Sequence, residues 1–116
     1  MTVVSGGDDN GIFLARFSLA ENFHLEKVQI LKFPNAHGSS VKGIKFVAFN
    51  LFGTVSSDQR LNFWEWTPGT TSLRLQKSYI AEVSDISSLD IHQESPNKLM
   101  ISVVGNEQLV LETQAA

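Results

Sequence analysis

Residues 54–66 read TVSSDQRLNFWEW, two strand-like runs on either side of a turn. Thr54-Val55-Ser56 and Leu61–Trp66 are rich in β-branched and aromatic residues, which favour strands. Asp58 stands between the two runs, and an aspartate side chain stabilises a tight turn by bonding to nearby backbone N–H groups. The stretch therefore predicts a β-hairpin.

Four polar side chains around this hairpin are suited to form one hydrogen-bonded group. Trp64 carries an indole N–H, a donor that is costly to bury without an acceptor. Ser56 on the neighbouring strand, Asp58 in the turn and His37 in the preceding loop can relay its hydrogen bond to the backbone. We predict that His37, Ser56, Asp58 and Trp64 form a structural tetrad that ties the strands to the loop.

His37, Ser56 and Asp58 are also the residue types of a hydrolase triad. The sequence shows no nucleophile elbow and no evident oxyanion hole, and Trp64 accounts for the trio better. No other set of residues brings an acid, a base and a nucleophile together, so we expect no enzymatic activity and no cofactor. We expect no metal site either, because cysteine is absent and no ligand set has metal-binding spacing.

Similar short runs fill the rest of the chain. About ten strand-like segments recur at roughly ten-residue spacing, separated by turn signals such as Pro34, Pro68-Gly69 and Pro96-Asn97. No convincing amphipathic helix is present, so the pattern predicts an antiparallel all-β fold. Leu99–Val104 is apolar without alternation, which is typical of a strand whose sheet is buried on both faces.

The hairpin is repeated along the chain. Val4–Asp9 resembles Val55–Asp58, and Ile101–Asn106 is a degenerate third copy. The turn residues stand at positions 9, 58 and 106, which gives intervals of 49 and 48 residues. A period of this size indicates a propeller or a solenoid, in which each unit buries its faces against its neighbours.

Composition narrows the function classes. The chain has 116 residues, 9 Lys and Arg against 12 Asp and Glu, and a formal net charge of −3. Nucleic-acid-binding domains usually carry a stronger basic footprint, so direct RNA binding by this segment alone is disfavoured. No apolar run is long enough for a transmembrane helix, and we expect no membrane partner. The absence of cysteine favours an intracellular protein.

The tetrad resembles the WD repeat, a four-stranded propeller blade in which a loop His, a strand Ser or Thr, a turn Asp and a strand Trp are hydrogen-bonded. The match departs from the usual pattern, since Ala36 replaces the Gly before His37 and Glu65 replaces the Asp after Trp64. The resemblance implies a partial WD-repeat β-propeller of about two and a half four-stranded antiparallel blades. The expected blade parts are 2–33, 39–80 and 84–113.

Two blade faces would stand open in such a chain. Propellers close with about four to eight blades, and an open blade face exposes more apolar surface than a monomer usually tolerates. We therefore expect residues 1–116 to be the C-terminal piece of a larger propeller or a truncated gene product. The remaining blades of the full-length protein would then cover the open faces.

Longer stretches resemble one family. Val4–Gly11, Ala36–Phe46, Val55–Trp64 and Val83–Leu89 occur in the order of the C-terminal repeats of the WD repeat-containing protein 6 family. The string Asp58-Gln59-Arg60-Leu61-x-Phe63-Trp64 is the most specific, because generic WD repeats usually place Gly after the turn Asp. The resemblance covers nearly the whole chain.

This resemblance implies a cytoplasmic, non-catalytic scaffold. Its partner would be a tRNA 2′-O-ribose methyltransferase that modifies the wobble nucleotide of the anticodon loop, and tRNA would be met through that complex. Candidate contacts to RNA or to the partner are the basic residues Lys42, Lys45, Arg60 and Lys77. The alternative is a general WD-repeat module for protein–protein interaction in another pathway.

Overall fold

All regular secondary structure in the described part of the chain is β-strand. The computed structural model describes residues 2–7, 9–19, 25–67 and 72–114. The strands are β1 Thr2–Gly6, β2 Ile12–Leu19, β3 Leu25–Phe33, β4 Val41–Ala48, β5 Leu51–Ser56, β6 Arg60–Trp66, β7 Leu73–Ile80, β8 Ser88–Ser95, β9 Lys98–Val104 and β10 Gln108–Gln114.

The strands form three antiparallel sheets. The first sheet has the order β1-β2-β3, the middle sheet β4-β5-β6-β7 and the last sheet β10-β9-β8. Each strand pairs with the next one along the chain inside its sheet, as in the blades of a propeller. The predicted fold class is confirmed: the chain is an all-β partial propeller.

The first two hairpins share one turn design. In each turn the aspartate, Asp9 or Asp58, accepts a hydrogen bond from the N–H two residues later, at 3.2 and 2.9 Å. The following residue, Asn10 or Gln59, has a left-handed backbone with φ of 66° or 61°. The similar sequences at these two positions therefore build similar turns.

The two central strands of the middle sheet, β5 and β6, are buried on both faces because a neighbouring sheet packs on each. Alternate residues of β5 point in opposite directions, so Phe52 packs toward the first sheet and Val55 toward the last. The buried residues shared with the first sheet are Ile12, Leu14, Phe52 and Trp66. Those shared with the last sheet are Val55, Leu61, Phe63, Ala81, Val83, Ile86, Leu89, Leu99, Ile101 and Val103.

The last sheet is buried on one face only. Leu99, Ile101 and Val103 of β9 are buried against the middle sheet, whereas the residues between them are half-buried and Val104 is exposed. The expectation that both faces of this run are buried is wrong for the described residues, because no further described sheet packs on the outer face.

The described ranges contain no helix with the length and apolar character that crossing a membrane requires.

Candidate functional site

A chain of hydrogen bonds crosses the middle sheet and ends in the β5–β6 turn. The indole Nε1–H of Trp64 donates to Oγ1 of Thr54 at 2.9 Å. Oγ1 of Thr54 lies 2.6 Å from Nε2 of His37. The other ring nitrogen of His37, Nδ1, lies 3.1 Å from Oδ2 of Asp58. Two strands, one loop and one turn are therefore joined through side chains.

His37 is held in place by its own backbone as well as by its ring. It lies in the loop between β3 and β4, and its N–H donates to the carbonyl oxygen of Asn10 at 3.1 Å. This bond links the loop to the turn of the neighbouring sheet. The imidazole is thereby directed into the middle sheet, where its side chain is fully buried.

The hydroxyl that joins Trp64 to His37 belongs to Thr54 and not to Ser56, which corrects the predicted tetrad. Trp64 pairs with Phe52 across the sheet, so Thr54 is the diagonal neighbour of the indole on the same face. Ser56 lies four residues along the strand from Phe52, roughly 13 Å away at about 3.3 Å per residue. Ser56 instead accepts a hydrogen bond from the N–H of Asp58 at 3.2 Å.

Asp58 gathers three donors. Its Oδ2 accepts from the N–H of Gly38 at 2.8 Å and its Oδ1 from the N–H of Arg60 at 2.9 Å, in addition to the contact with His37. Partial burial acts to raise the pKa of this carboxyl, but these hydrogen bonds and the nearby imidazole outweigh it and hold the pKa below 3.8. Asp58 is therefore ionised at neutral pH.

Burial lowers the pKa of His37 below 6.5, and the opposing attraction of Asp58 does not restore it. A neutral imidazole satisfies every partner when Nδ1–H donates to Asp58 and Nε2 accepts from the hydroxyl of Thr54. That hydroxyl oxygen then accepts from Trp64. Each donor in this series of side-chain hydrogen bonds thus meets one acceptor.

Thr54, His37 and Asp58 have the atom order of a hydrolytic triad but not its accessibility. Thr54 is 0% exposed and His37 is 5% exposed, so a substrate cannot reach the hydroxyl. The hydroxyl also serves as the acceptor for Trp64. This geometry suits a structural link, because a buried polar group left without a partner would cost about 1–3 kcal/mol.

A second polar link extends the network toward β7. Nδ2 of Asn62 donates to the carbonyl oxygen of Ala36 at 3.4 Å, and Oδ1 of Asn62 accepts from the hydroxyl of Ser78 at 2.6 Å. Sequence reasoning missed both Asn62 and Thr54. Hairpin register was the available signal, because Thr54 pairs directly with Asn62 and therefore shares its face.

Among the described residues, the first hairpin has no counterpart of this network. In the strand pair next to each turn, Ile12 of the first hairpin corresponds to Leu61 of the second. Ala15 therefore occupies the position that corresponds to Trp64. By the same count Ser5 takes the place of Thr54, and it is exposed. The first hairpin therefore has the same turn as the second but lacks the buried series of side-chain hydrogen bonds.

The predicted basic contacts do not form one patch. Lys42 and Lys45 lie on β4, Arg60 is the first residue of β6, and Lys77 lies on β7; all four are exposed. β4 and β7 are the two opposite edges of the middle sheet, about 14 Å apart at three strand spacings. One phosphate group cannot contact all four residues at once.

The described residues contain no group of three or more His, Cys, Asp or Glu side chains placed to hold a metal ion. No protein-family model matches the chain, and no curated protein matches it.

Proposed function

We propose that this chain is part of a non-catalytic β-propeller scaffold similar to the WD repeat-containing protein 6 family. In this proposal the scaffold positions a tRNA 2′-O-ribose methyltransferase for methylation of the wobble nucleotide in the anticodon loop, in the cytoplasm. The observation that carries it is the string Asp58-Gln59-Arg60-Leu61-x-Phe63-Trp64. This string lies on the hairpin that holds the buried polar chain.

The use of the polar residues supports a scaffold. The two titratable residues that resemble members of a catalytic triad, His37 and Asp58, are engaged with Thr54 and with backbone N–H groups. Those bonds hold a loop and a turn against the sheet. Methyl-donor binding and methyl transfer would then belong to the partner enzyme.

A rigid scaffold acts by fixing geometry. Holding the enzyme and its substrate RNA on one body raises their effective concentration and keeps the target ribose in a productive orientation. Sheets that are packed face to face are suited to this role, because they deform little when partners bind.

RNA contact through the complex fits the charge better than contact by this segment alone. The net charge is −3, and among the basic candidates Lys42 and Lys45 lie on one edge of the middle sheet whereas Lys77 lies on the other. The open outer faces of the first and last sheets carry exposed apolar side chains, including Val3 and Val110. Further blades of a full-length protein would cover them.

The first experiment measures tRNA modification in cells that lack the gene. We expect 2′-O-methylation of the wobble nucleotide, quantified by mass spectrometry of anticodon-loop fragments, to be lost and to return on re-expression of the full-length protein. A methylation elsewhere in the same tRNAs is the control and should not change. Unchanged wobble methylation contradicts the proposal.

The second experiment separates this function from a general interaction module. Affinity capture of the full-length protein is expected to recover a ribose 2′-O-methyltransferase. Consistent recovery of other partners without a methyltransferase favours the general module.

A further inference from the structure

A polar cleft lies between the turns of the first sheet and strands β6 and β7 of the middle sheet. Its volume is about 520 Å³, which falls in the range of about 300–1,000 Å³ that small-molecule sites occupy. The polar side chains that line it come from two turns, one loop and two strands: Asn10, Asn35, Asp58, Arg60, Asn62 and Ser78. The cleft therefore lies between two sheets that pack on each other and not on an open blade face.

Most hydrogen-bond donors of this cleft are not used within the protein. The guanidinium of Arg60 and the side-chain amides of Asn10 and Asn35 have no protein partner among the described residues. Asn62 is only 5% exposed and donates one amide hydrogen to the carbonyl oxygen of Ala36 at 3.4 Å. An asparagine amide carries two hydrogens, so the second one is available to a ligand.

The acceptors of the cleft, in contrast, are engaged. The carboxylate of Asp58 accepts from the N–H groups of Gly38 and Arg60 and contacts Nδ1 of His37. The side-chain oxygen of Asn62 accepts from the hydroxyl of Ser78 at 2.6 Å. The hydrogen-bonding capacity that remains in the cleft is therefore mainly that of donors, which suits a ligand rich in acceptor oxygens.

The charges of the lining favour a ligand with a single negative charge. Arg60 supplies one positive charge, and Asp58 supplies one negative charge at the same end of the cleft. A phosphate dianion would be repelled by Asp58 twice as strongly as a monoanion is. The planar guanidinium of an arginine matches the two oxygens of one carboxylate, so a carboxylate is the monoanion that fits best.

Two of the free amides stand on left-handed backbone. Asn10 and Asn35 have φ of 66° and 60°. Glycine adopts this conformation without steric cost, so neither turn requires a side-chain amide for its backbone shape. Both positions can therefore be changed to glycine with the turn retained, which separates the amide from the turn in an experiment.

We propose that this cleft binds a small organic molecule through one carboxylate group, which the guanidinium of Arg60 holds with two parallel hydrogen bonds. The amides of Asn10, Asn35 and Asn62 donate to further oxygen atoms of the ligand. Leu75 provides an apolar contact at the end of the cleft away from Arg60. The inference rests on this cleft and goes beyond the proposed role in tRNA modification.

The probe is N-acetyl-leucine, which combines one carboxylate, one amide and one apolar side chain. It is titrated into the isotope-labelled full chain at neutral pH and constant ionic strength, and binding is followed by NMR. We expect saturable shifts of the backbone signals of Asn10, Asn35, Arg60 and Asn62. Absence of saturable shifts at these residues overturns the proposal.

Two further ligands test the role of the carboxylate. N-acetyl-leucinamide has the same shape without the charge and should bind about tenfold more weakly, because a charge-assisted pair with Arg60 is lost. Equal affinity of the two compounds contradicts the proposal. Inorganic phosphate should also bind more weakly than N-acetyl-leucine, and tighter binding of phosphate would assign the cleft to phosphate groups, against the proposal.

Protein variants test the location. Arg60→Gln should weaken binding of N-acetyl-leucine about tenfold, whereas Arg74→Gln should change it less than about twofold. Arg74 is a matched control, because its exposed guanidinium lies 3.3 Å from Glu65 and does not line the cleft. Melting curves of both variants verify that they fold. Equal effects of the two variants would indicate unspecific attraction of anions and overturn the proposal.

The double variant Asn10→Gly with Asn35→Gly tests the amides. Since glycine suits both turns, the melting temperature should change little, while binding should weaken about threefold or more through the loss of two donors. Retained folding with unchanged affinity would contradict the role of these amides.

A peptide with a free carboxyl terminus tests the other source of a carboxylate. The peptide Gly-Gly-Gly-Leu is compared with N-acetyl-leucine in the same titration. An affinity no more than about fivefold above that of N-acetyl-leucine agrees with a small-molecule site. A larger gain would assign the cleft to the end of a polypeptide, against the proposal.

Discussion

The hydroxyl oxygen of Thr54 lies 2.6 Å from Nε2 of His37, with both side chains buried. The same oxygen accepts the indole N–H of Trp64, so one hydroxyl joins a strand, its neighbouring strand and a loop. Removing it would leave two nitrogens inside the protein without a partner. The consequences of this arrangement are measurable in stability.

Thr54→Val tests which hydroxyl the network uses. Valine keeps the shape of threonine but leaves Nε2 of His37 and Nε1 of Trp64 without a partner, so the free energy of unfolding should fall by about 2–4 kcal/mol. Ser56→Ala removes a single bond to a backbone N–H and should cost about 0.5–1.5 kcal/mol. Urea denaturation measures both. A larger loss for Ser56→Ala would contradict the assignment.

Asp58→Asn tests the carboxylate at the end of the series of hydrogen bonds that begins at Trp64. An amide has one acceptor oxygen where the carboxylate uses two, so at least one of its donors loses its bond, at about 1–3 kcal/mol. Asp9→Asn is the matched control, because Asp9 is exposed and accepts a bond from the Gly11 N–H. Thermal melting should show a clearly larger decrease for Asp58→Asn. Equal decreases would assign Asp58 no role beyond the turn.

Stability should depend on pH through His37. Its pKa in the folded protein lies below the unfolded value near 6.5, so the unfolded chain takes up the proton first as pH falls. The contribution of the neutral imidazole is therefore present above about pH 7 and decreases as the pH falls below 6.5.

His37→Gln isolates this effect, because the other histidines remain in both proteins. Between pH 7.5 and 5, the free energy of unfolding of the unmodified chain should decrease more steeply than that of the variant. The difference cannot exceed about 1.4 kcal/mol per pH unit, the limit for one proton. Asp58 does not enter this range, since its pKa lies below 3.8. Parallel pH profiles would contradict the assignment.

Gly105→Ala tests the packing of the last hairpin on the preceding loop. A Cβ at Gly105 would contact the carbonyl oxygens of Ser84 and Asp85, the latter at 2.7 Å. Backbone atoms cannot move aside as a side-chain end can, so we expect a loss of about 1–3 kcal/mol. Gly7→Ala is the control, because the nearest atom to its added Cβ lies at 4.0 Å. Similar melting of the two variants would count against this contact.

The strands and turns were predictable from local sequence. β-Branched and aromatic runs between Gly, Pro and Asn signals give the ten described strands, and the repeat of Asp9 at Asp58 anticipates two turns of one design. His37 and Trp64 stand out because a loop histidine and a strand tryptophan have few other reasons to be present at this spacing. Residue type and spacing are sufficient for such features.

The choice between Thr54 and Ser56 required register, which spacing alone does not supply. Both residues are small hydroxyl donors on the same face of β5, and only the pairing of Phe52 with Trp64 selects Thr54. The one-sided burial of β9 depends on which sheets are neighbours, a property of the assembly and not of the strand. The separation of Lys45 from Lys77 likewise follows from strand order.

A double-mutant cycle on Thr54→Val and Trp64→Phe is the most direct test of the buried hydrogen bonds through Thr54. Each single variant removes one partner of the same hydrogen bond, so their effects on the free energy of unfolding should be less than additive by about 1–2 kcal/mol. Additivity within about 0.3 kcal/mol would show that the two side chains are independent, and would contradict the structural role assigned to Thr54.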